Sequence, residues 1–370
     1  MIVVVGATLP GLAAAARLAR VGHQVVVLDR RAFPDRPAIP EPVPLSPLDP
    51  DPHVILLPGA WRDLFRKSGR PITGELGRHG LRLVPAPAPS YATSAGEITL
   101  PADRAGQWHT LAETVGPRAA ATWRDLLDRL DTSWLALRPL GVEAEFTATR
   151  LDRATKAALH THQTLADLAR QAGPLGSLFT DLALRRDSDP RTTPGWLGTR
   201  LSIERTFGRW QLADSGDIPQ PATRLLDIVL QRLVDRDVDL RWQTEARHVA
   251  PGRVLTTEGP VEGRAIIIAT SPWQHATLTG RRPPRGLTAA STAGPQWHGW
   301  RTLLALPRLR TTIPGVYHAS AFSPAGPEPW AQLLTGALAA YRVHEDLTGE
   351  DIRPTNKDWS PPRGPLRPGP

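Results

Sequence analysis

Two glycines and one aspartate near the amino terminus are the residues whose types and spacing best suit a chemical task. Gly6 and Gly11 follow the apolar run Ile2–Val5, and Asp29 stands at the end of a second apolar run. The first glycine permits a tight turn, the second lets a helix lie close to the strand, and the acid can accept hydrogen bonds from a ribose 2′-hydroxyl group. The pattern predicts a site for the adenosine diphosphate half of a dinucleotide.

The elements that would position these residues form one βαβ unit. Ile2–Val5 is a β-branched run, Leu9–Val21 has the small-residue pattern of a helix packed on a sheet, and His23–Leu28 has the pattern of a second buried strand. The start of the helix would offer N–H groups and the positive end of its dipole to a pyrophosphate. The predicted contacts of this unit are Gly6, Ala7, Thr8, Pro10, Gly11, Asp29 and Arg30.

The fingerprint differs from the GxGxxG pattern at Thr8, where that pattern has its middle glycine. A Cβ atom at this position crowds the pyrophosphate, so Thr8 is predicted to be the main local obstacle to a dinucleotide. In the alternative, its hydroxyl turns toward a phosphate oxygen and helps binding. Pro10 lacks an N–H, but in the first turn of a helix that group has no intrahelical acceptor.

The length of the chain is sufficient for two domains or one large discontinuous domain. The 370 residues are 41% hydrophobic and 22% charged, which is typical of a globular protein. The absence of cysteine excludes disulfides and thiolate chemistry, and it is compatible with a reducing cytoplasm. His160 and His162 are close in sequence, but no HExxH pattern accompanies them, so we expect no metal site.

The net charge of +8 comes mostly from arginines scattered along the chain. Since no basic block is present, we expect no nucleic-acid partner. A basic face would also allow peripheral contact with an anionic membrane surface, which is the lesser alternative to a purely cytoplasmic protein. No apolar run reaches the roughly 18 residues of a membrane span, and the amino terminus lacks the basic region of a signal peptide.

The middle of the chain predicts a second region of mixed structure. Residues 32–52 are rich in proline and predict an irregular surface loop. The runs LRLVPAP and GEITLPAD predict a hairpin, and residues 111–140 and 151–185 predict amphipathic helices. A stripe at helical spacing is predicted to be core: Trp123, Leu126, Leu127, Leu130 and Trp134.

Several segments together resemble the phytoene desaturase and amine oxidase group of FAD-dependent oxidoreductases, and the phytoene dehydrogenase branch most closely. They are the amino-terminal unit, LPGAWRDLFRKSGRPI with LRLVPAP and ITLPAD, the segment Pro219–Val249, RAIIIATSPWQ, and GVYHASAFSPAGPEPWAQLLTGALAAY. The resemblance extends over most of the chain.

The resemblance implies further cofactor contacts. Val249 would present its backbone to the adenine, and Ala269 and Thr270 would approach the cofactor. Ser320 and Ala321 stand where the family has a Gly-Asp pair that holds the ribityl or phosphate portion of the flavin. Trp330 is a candidate wall of the substrate cavity, with ordinary core packing as the alternative.

The implied architecture is an α/β fold, with a Rossmann-like FAD/NAD(P)-binding domain and an inserted α+β substrate region. The first comprises residues 1–60, 205–275 and 312–350, the second 61–204 and 276–311, and a Pro-rich tail covers 351–370. Tryptophans of the insertions are predicted to enclose an apolar cavity that opens toward the flavin: Trp61, Trp108, Trp123, Trp134 and Trp196.

The implied activity is that of an FAD-dependent oxidoreductase, and NAD(P) is the alternative cofactor. The substrate would be a small apolar molecule of the isoprenoid or polyene type, and it would transfer a hydride to the flavin. Because the cofactor carries this chemistry, no catalytic residue is named. The alternative is a non-redox or scaffold protein that keeps the fold and binds cofactor weakly or not at all. Neither the electron acceptor nor the oligomeric state follows from the sequence.

Overall fold

The computed structural model describes residues 1–32, 46, 49, 51–283, 285–288 and 294–353. Most of the predicted Pro-rich loop at 32–52 and of the tail at 351–370 therefore lies outside the described residues. The strands are β1 (Ile2–Val5), β2 (Val25–Leu28), β3 (Ile55–Leu56), β4 (Leu81–Pro85), β5 (Ser90–Thr93), β6 (Gly96–Thr99), β7 (Arg209–Asp214), β8 (Pro219–Gln220), β9 (Asp239–Arg241), β10 (Ala246–Ala250), β11 (Arg253–Thr256), β12 (Gly259–Glu262), β13 (Ala265–Ile268) and β14 (Val316–His318).

The helices follow the same chain order, and a short π-helical turn at Arg138–Val142 comes directly after the fifth. They are α1 (Leu9–Arg20), α2 (Pro58–Ser68), α3 (Ile72–Arg78), α4 (Arg104–Thr114), α5 (Pro117–Leu137), α6 (Arg153–Ala158), α7 (Leu165–Ala172), α8 (Ser177–Leu184), α9 (Thr199–Phe207), α10 (Arg224–Val234), α11 (Pro272–Thr279), α12 (Thr302–Ala305) and α13 (Pro329–Thr348). Within the described ranges, no helix is both long enough and apolar enough to span a membrane.

A five-stranded parallel sheet forms the centre of the nucleotide-binding half, in the order β14-β13-β1-β2-β9. The strands β1, β2 and β13 are apolar throughout and all of their residues are buried, as expected of parallel strands covered on both faces. The first strand lies beside two strands that are far apart in sequence, and this is the arrangement of a doubly wound nucleotide-binding sheet. The α/β Rossmann-like fold is thereby confirmed.

Helix α1 packs closely on this sheet because its buried side is built from small residues. Ala13–Ala16 are fully buried between the sheet and helix α13. A Cβ atom on Gly336 of α13 would lie 2.3 Å from the carbonyl oxygen of Pro10, so only glycine permits this approach of the two helices. Both α1 and the amino-terminal half of α13 are thus held firmly against each other.

The predicted hairpin between LRLVPAP and GEITLPAD is wrong. Strand β4 pairs instead with β7, with Leu81 opposite Asp214, and β6 pairs with β5 across the turn that ends at Gly96. Gly96 has a φ of +107°, which suits a tight connection between neighbouring strands. Strand β7 lies in the segment 205–275, so a strand assigned to the nucleotide-binding domain pairs with one from the insertion. The division into domains stays a prediction.

The helices of the insertion form a second apolar core. The predicted stripe on α5 is buried, and Trp123 contacts Phe179 with ring centroids 5.7 Å apart. The predicted helices at 111–140 and 151–185 are confirmed as α4 to α8, although they are divided into shorter pieces than the sequence suggested. This core supports α9, whose Leu201 packs into it and whose charged residues Arg200, Glu204 and Arg205 are also buried.

Candidate functional site

A cleft of about 250 Å³ lies at the carboxyl edge of the parallel sheet, where β1, β2 and β13 end. Such an edge, at the point where the strand order reverses, is where doubly wound proteins bind their ligands. We call it the nucleotide cleft. Its lining residues are Val5, Gly6, Thr8, Leu28, Asp29, Arg30, Arg31, Thr244, Glu245, Ala246, Thr270, Ser271 and Gln274.

The two glycines of the fingerprint are required by backbone contacts at this cleft. Gly6 has a φ of +107°, and a Cβ on it would approach Ala269 O and the Thr270 methyl group to 3.0 Å. A Cβ on Gly11 would lie 2.3 Å from Gly6 O. The predicted roles of both glycines in turn and packing therefore agree with the geometry.

Asp29 is buried at the end of β2, and both of its carboxylate oxygens accept hydrogen bonds from other groups of the protein. Oδ2 accepts from Ala7 N at 2.7 Å and from Arg31 Nη2 at 2.8 Å. Oδ1 accepts from Arg31 N and from Arg31 Nε, both at 2.9 Å. Burial alone would raise the pKa of Asp29, but the hydrogen bonds from Arg31 and Ala7 outweigh it and hold this pKa below its ordinary value.

These four hydrogen bonds occupy the roughly four acceptor positions of a carboxylate. A ribose hydroxyl can therefore bind Asp29, as the sequence predicts, only after the Arg31 side chain moves aside. Arg31 is 60% exposed, so its guanidinium can leave without disturbing the core. Arg30 is also exposed and lines the cleft, which makes this end of it basic.

The hydroxyl of Thr8 already has a hydrogen-bond partner within the protein. It donates a hydrogen bond of 2.6 Å to Ala269 O, which ties the start of α1 to the end of β13. Thr8 is nevertheless among the lining residues of the cleft, and crowding of a pyrophosphate by its side chain stays a prediction. Pro10 is buried in the first turn of α1, where it needs no N–H.

Replacing Thr8 with glycine is expected to tighten the binding of adenosine diphosphate by roughly tenfold. The change removes a branched side chain from the cleft, and relief of local crowding amounts to about 1 to 3 kcal/mol, offset by about 1 kcal/mol for the lost hydrogen bond to Ala269. Calorimetric titration of both proteins gives the two dissociation constants. Thr8→Ser keeps the hydroxyl and serves as the control. A glycine variant that binds more weakly would show that Thr8 assists the ligand.

Thr270 provides independent support for a ligand at this cleft. It is 9% exposed, it lines the cleft, and its hydroxyl has no hydrogen-bond partner among the described residues. An unpaired buried hydroxyl costs free energy unless a ligand or water satisfies it. Ala269, the neighbour of Thr270, contributes its carbonyl to the Thr8 hydroxyl.

Val249 lies away from the nucleotide cleft. Its side chain is 1% exposed in the core beneath the small antiparallel sheet, and it is paired with Val254 in the ladder between β10 and β11. Ala246, at the start of the same strand, and the two residues before it, Thr244 and Glu245, line the cleft. Val249 itself is not among the lining residues, and its backbone contact with an adenine stays a prediction.

Ser320 and Ala321 follow β14 at the same edge of the sheet. Ser320 is 4% exposed; its hydroxyl lies 2.8 Å from His318 Nε2 and accepts a hydrogen bond from Phe322 N at 3.1 Å. Ala321 is partly exposed and its carbonyl oxygen lies close to Gly294. A cavity of only about 30 Å³ adjoins Ser320.

A larger cavity of about 620 Å³ lies between the insertion and α13. We call it the apolar cavity. Its walls are mainly aliphatic and aromatic. Two of its acidic lining residues are paired with arginines: Asp131 with Arg205 and Glu143 with Arg138. Its lining comprises Leu57, Gly59, Ala60, Asp63, Asp131, Trp134, Leu135, Arg138, Val142, Glu143, Thr206, Phe207, Leu334, Ala337, Leu338 and Tyr341.

Only one of the five predicted tryptophans lines the apolar cavity, and that one is Trp134. Trp61, Trp123 and Trp196 are core residues with at most 2% exposure. Trp330 is 5% exposed and packs edge-on against Trp134 with ring centroids 5.4 Å apart, so it supports the cavity wall from behind. In the described part of the chain, the apolar cavity and the nucleotide cleft share no lining residue.

A buried ionic cluster was not expected from the sequence. Arg200 donates to Glu328 at 2.7 Å and to Asp49 at 2.9 Å, and Arg209 donates to Glu204 and Asp49 at 3.1 and 3.2 Å. Glu328 occupies the position just before α13, but its side chain makes no capping hydrogen bond to that helix. The members come from three distant segments, at Asp49, at residues 200–209 and at Glu328, so their proximity left no local signal in the sequence.

Comparisons with known proteins agree with this geometry. No protein-family model matches the chain. It is 28% identical over 310 residues to the hydroxyneurosporene desaturase of Cereibacter sphaeroides, an alignment that covers 80% of this chain and 59% of the relative. The chain thus spans less than two thirds of that relative's length.

One solved structure shows the same fold. Cyclohexylamine oxidase from Brevibacterium oxydans is similar with a TM-score of 0.54 and 13% identity, covering 94% of this chain and 99% of the oxidase. A putrescine oxidase gives a TM-score of 0.46 and 16% identity over 78% of this chain and 61% of its own. Sequence and fold together confirm the resemblance to the phytoene desaturase and amine oxidase group of FAD-dependent oxidoreductases.

Proposed function

We propose that this protein is an FAD-dependent oxidoreductase that holds the adenosine diphosphate half of FAD in the nucleotide cleft. The observation that carries the proposal is the meeting of three features at one sheet edge: the Gly6 and Gly11 turn, the buried acid Asp29, and the unpaired hydroxyl of Thr270. The similarity to a desaturase supports the same conclusion.

The residues present fit the two halves of FAD differently. The nucleotide cleft measures about 250 Å³, slightly less than the usual volume of about 300 to 1,000 Å³ for a small-molecule site. It therefore has room for part of the cofactor. The cavity beside Ser320 measures only about 30 Å³, which is too small for a three-ring flavin. If the flavin lies beside Ser320, as the resemblance implies, the loop after Ser320 has to shift when the whole cofactor binds. Once bound, flavin supplies a hydride acceptor.

The chain's own contribution to the nucleotide half is orientation. Asp29 would accept ribose hydroxyls once Arg31 has moved, and the freed guanidinium would remain beside the phosphates. The start of α1 would direct its positive dipole end at the pyrophosphate. Thr270 would donate or accept the one hydrogen bond that its hydroxyl lacks.

The proposed substrate is an apolar molecule of the isoprenoid or polyene class, held in the apolar cavity. A volume of about 620 Å³ is within the usual range for a small ligand. Asp131 and Glu143 are already paired with arginines, so the cavity offers little to a charged substrate. A cytoplasmic location and contact with a membrane surface stay predictions.

Replacing Asp29 with alanine is expected to weaken the binding of FAD and of adenosine diphosphate by about 10- to 150-fold. This follows from the loss of hydrogen bonds to a charged group, at about 1.5 to 3 kcal/mol, and from the loss of the Ala7 contact that shapes the turn. Asp239→Ala, an exposed acid on the neighbouring strand β9, is the matched control. Fluorescence titration with FAD and calorimetry with adenosine diphosphate measure both ligands. Equal affinities in a folded Asp29→Ala variant would remove Asp29 from the site.

The charge of Asp29 depends on the pH at which binding is measured. Because the folded-state pKa of Asp29 is lowered, its contribution to stability is present above the unfolded pKa of about 3.9 and is lost as the pH falls through the lower folded value. Binding measured near neutral pH therefore reports on the ionised acid.

The same titrations separate the two alternatives for function. A wild-type protein that binds neither FAD nor adenosine diphosphate would favour a scaffold of the same fold.

A further inference from the structure

Helix α1 buries one charged residue among its small ones. Arg17 is 2% exposed and follows the buried run Ala13–Ala16. Taking a guanidinium out of water costs free energy, and apolar residues of similar volume are often at least as stable in such a place. The packing of α1 on the sheet therefore does not by itself explain an arginine at this position.

Arg17 holds two side chains that line the apolar cavity. Its Nη1 donates to Tyr341 Oη at 3.0 Å, and its Nη2 donates to Asp63 Oδ2 at 2.7 Å. Tyr341 and Asp63 both belong to the lining of the apolar cavity, whereas Arg17 does not. Because a guanidinium is planar and rigid, it fixes the phenol and the carboxylate in a defined arrangement in the cavity wall.

Tyr341 and Asp63 each keep one hydrogen-bonding position unused. Tyr341 Oη accepts from Arg17, but among the described residues its own proton has no acceptor. Burial, the largest cause, raises the pKa of Tyr341, so the phenol is protonated near neutral pH and can donate. The contact of Asp63 Oδ1 with Arg66 Nη2, at 3.8 Å, is too long for a hydrogen bond. The wall thus offers one donor and one acceptor.

The charges around this pair favour a neutral ligand. Arg17 and Asp63 compensate each other, and the other two acids of the lining, Asp131 and Glu143, are paired with arginines. A carboxylate would be repelled by Asp63, and an ammonium group by the Arg17 guanidinium. A ketone or an ether can accept from Tyr341 but leaves Asp63 Oδ1 without a donor. An alcohol satisfies both, because a hydroxyl group donates and accepts.

We propose that the apolar cavity binds an alcohol with an apolar hydrocarbon body, whose hydroxyl group accepts a hydrogen bond from Tyr341 Oη and donates one to Asp63 Oδ1. The hydrocarbon body lies against the aliphatic wall, which includes Leu334 and Leu338. Arg17 is a positioning residue in this arrangement, since it contacts both partners and not the ligand. The inference rests on the proposed function only in taking this cavity as the substrate site, and it needs no cofactor.

Three probes that share one isoprenoid chain test the proposal: farnesol, its methyl ether and the corresponding hydrocarbon without oxygen. Calorimetry measures the binding of farnesol to the purified protein without added FAD, and competition with farnesol measures the other two. We expect farnesol to bind roughly tenfold more tightly than either, which is the scale of one net hydrogen bond. Equal affinity for all three probes, or binding of none, would overturn the proposal.

A tyrosine substitution locates the preference for the alcohol. Tyr341→Phe should reduce the preference for farnesol over the hydrocarbon to about threefold or less, while unchanged affinity for the hydrocarbon shows that the cavity is intact. The matched control is Tyr317→Phe, because Tyr317 is also buried and its hydroxyl donates to Asp346 at 2.7 Å away from the cavity lining. An unchanged preference in Tyr341→Phe, or an equal loss in Tyr317→Phe, would contradict the proposal.

Asp63→Asn tests the acceptor. The amide oxygen can keep the hydrogen bond from Arg17, and the amide nitrogen then presents a donor where Asp63 Oδ1 presented an acceptor. We therefore expect the ether to gain on farnesol by about fivefold. An unchanged ratio would overturn the role of Asp63 and the proposal with it. A protein that prefers farnesol but fails to bind FAD would refute the proposed function and leave this inference intact.

Discussion

Replacing Arg200 with methionine is expected to lower the free energy of unfolding by about 3 to 5 kcal/mol, the cost of removing one partner from a buried ion pair. Arg200 is 7% exposed and donates to Glu328, Asp49 and Glu204 at 2.7, 2.9 and 3.3 Å. Methionine fills a similar volume but removes the ion pair of Glu328 and leaves Asp49 and Glu204 paired with Arg209 alone. Urea unfolding followed by circular dichroism measures the loss.

The matched control is Arg191→Met. Arg191 is 83% exposed and pairs with Asp189 at 3.1 Å, and an exposed pair of this kind contributes about 0 to 1 kcal/mol. Burial would raise the pKa of Asp49, but Arg200 and Arg209 together hold it below its ordinary value. The Arg200 variant should therefore lose stability at a higher pH than wild type on acidification. Equal losses in both variants would show that the cluster is not desolvated.

Replacing Gly11 with alanine is expected to cost about 3 kcal/mol of stability, at the upper end of an overpacking penalty. The new Cβ would lie 2.3 Å from Gly6 O and 2.9 Å from Ala269 Cβ, and the first of these is a backbone atom that cannot rotate away. Helix α1 would have to move outward, opening the turn that faces the nucleotide cleft. We therefore also expect at least a tenfold loss of affinity for adenosine diphosphate.

Gly59→Ala is the control for this substitution. Gly59 also follows a proline in the first turn of a helix, but a Cβ on it would meet no atom within 4 Å. Alanine there should be neutral or should stabilise by up to about 1 kcal/mol through its helix propensity. Thermal unfolding of the two variants in parallel gives the comparison. Similar melting temperatures would mean that α1 is not held as closely as described.

The parts of the fold that the sequence predicts are those with a local pattern. The run of β-branched residues, the alanine-rich helix and the acid at the end of the second strand all lie within the first 29 residues, so their periodicity and spacing specify the unit. The amphipathic stripe on α5 was predictable for the same reason. Ala13–Ala16 are buried just as the small-residue pattern indicates.

The parts that the sequence did not predict depend on contacts between distant segments. Strand β4 pairs with β7 more than a hundred residues later, and no local turn signals that pairing. Asp29 lines the cleft at the end of the predicted second strand, but its use of Arg31 as a partner depends on side-chain geometry rather than spacing. His275 and His318 likewise meet only because α11 packs beside β14.

The most direct test of the central claim is the visible absorption spectrum of the protein after incubation with FAD and removal of the unbound cofactor. The account predicts a yellow protein with up to one FAD for each chain, and a clear loss of bound FAD in the Asp29→Ala variant relative to Asp239→Ala. A folded wild-type protein that stays colourless after this treatment would contradict it.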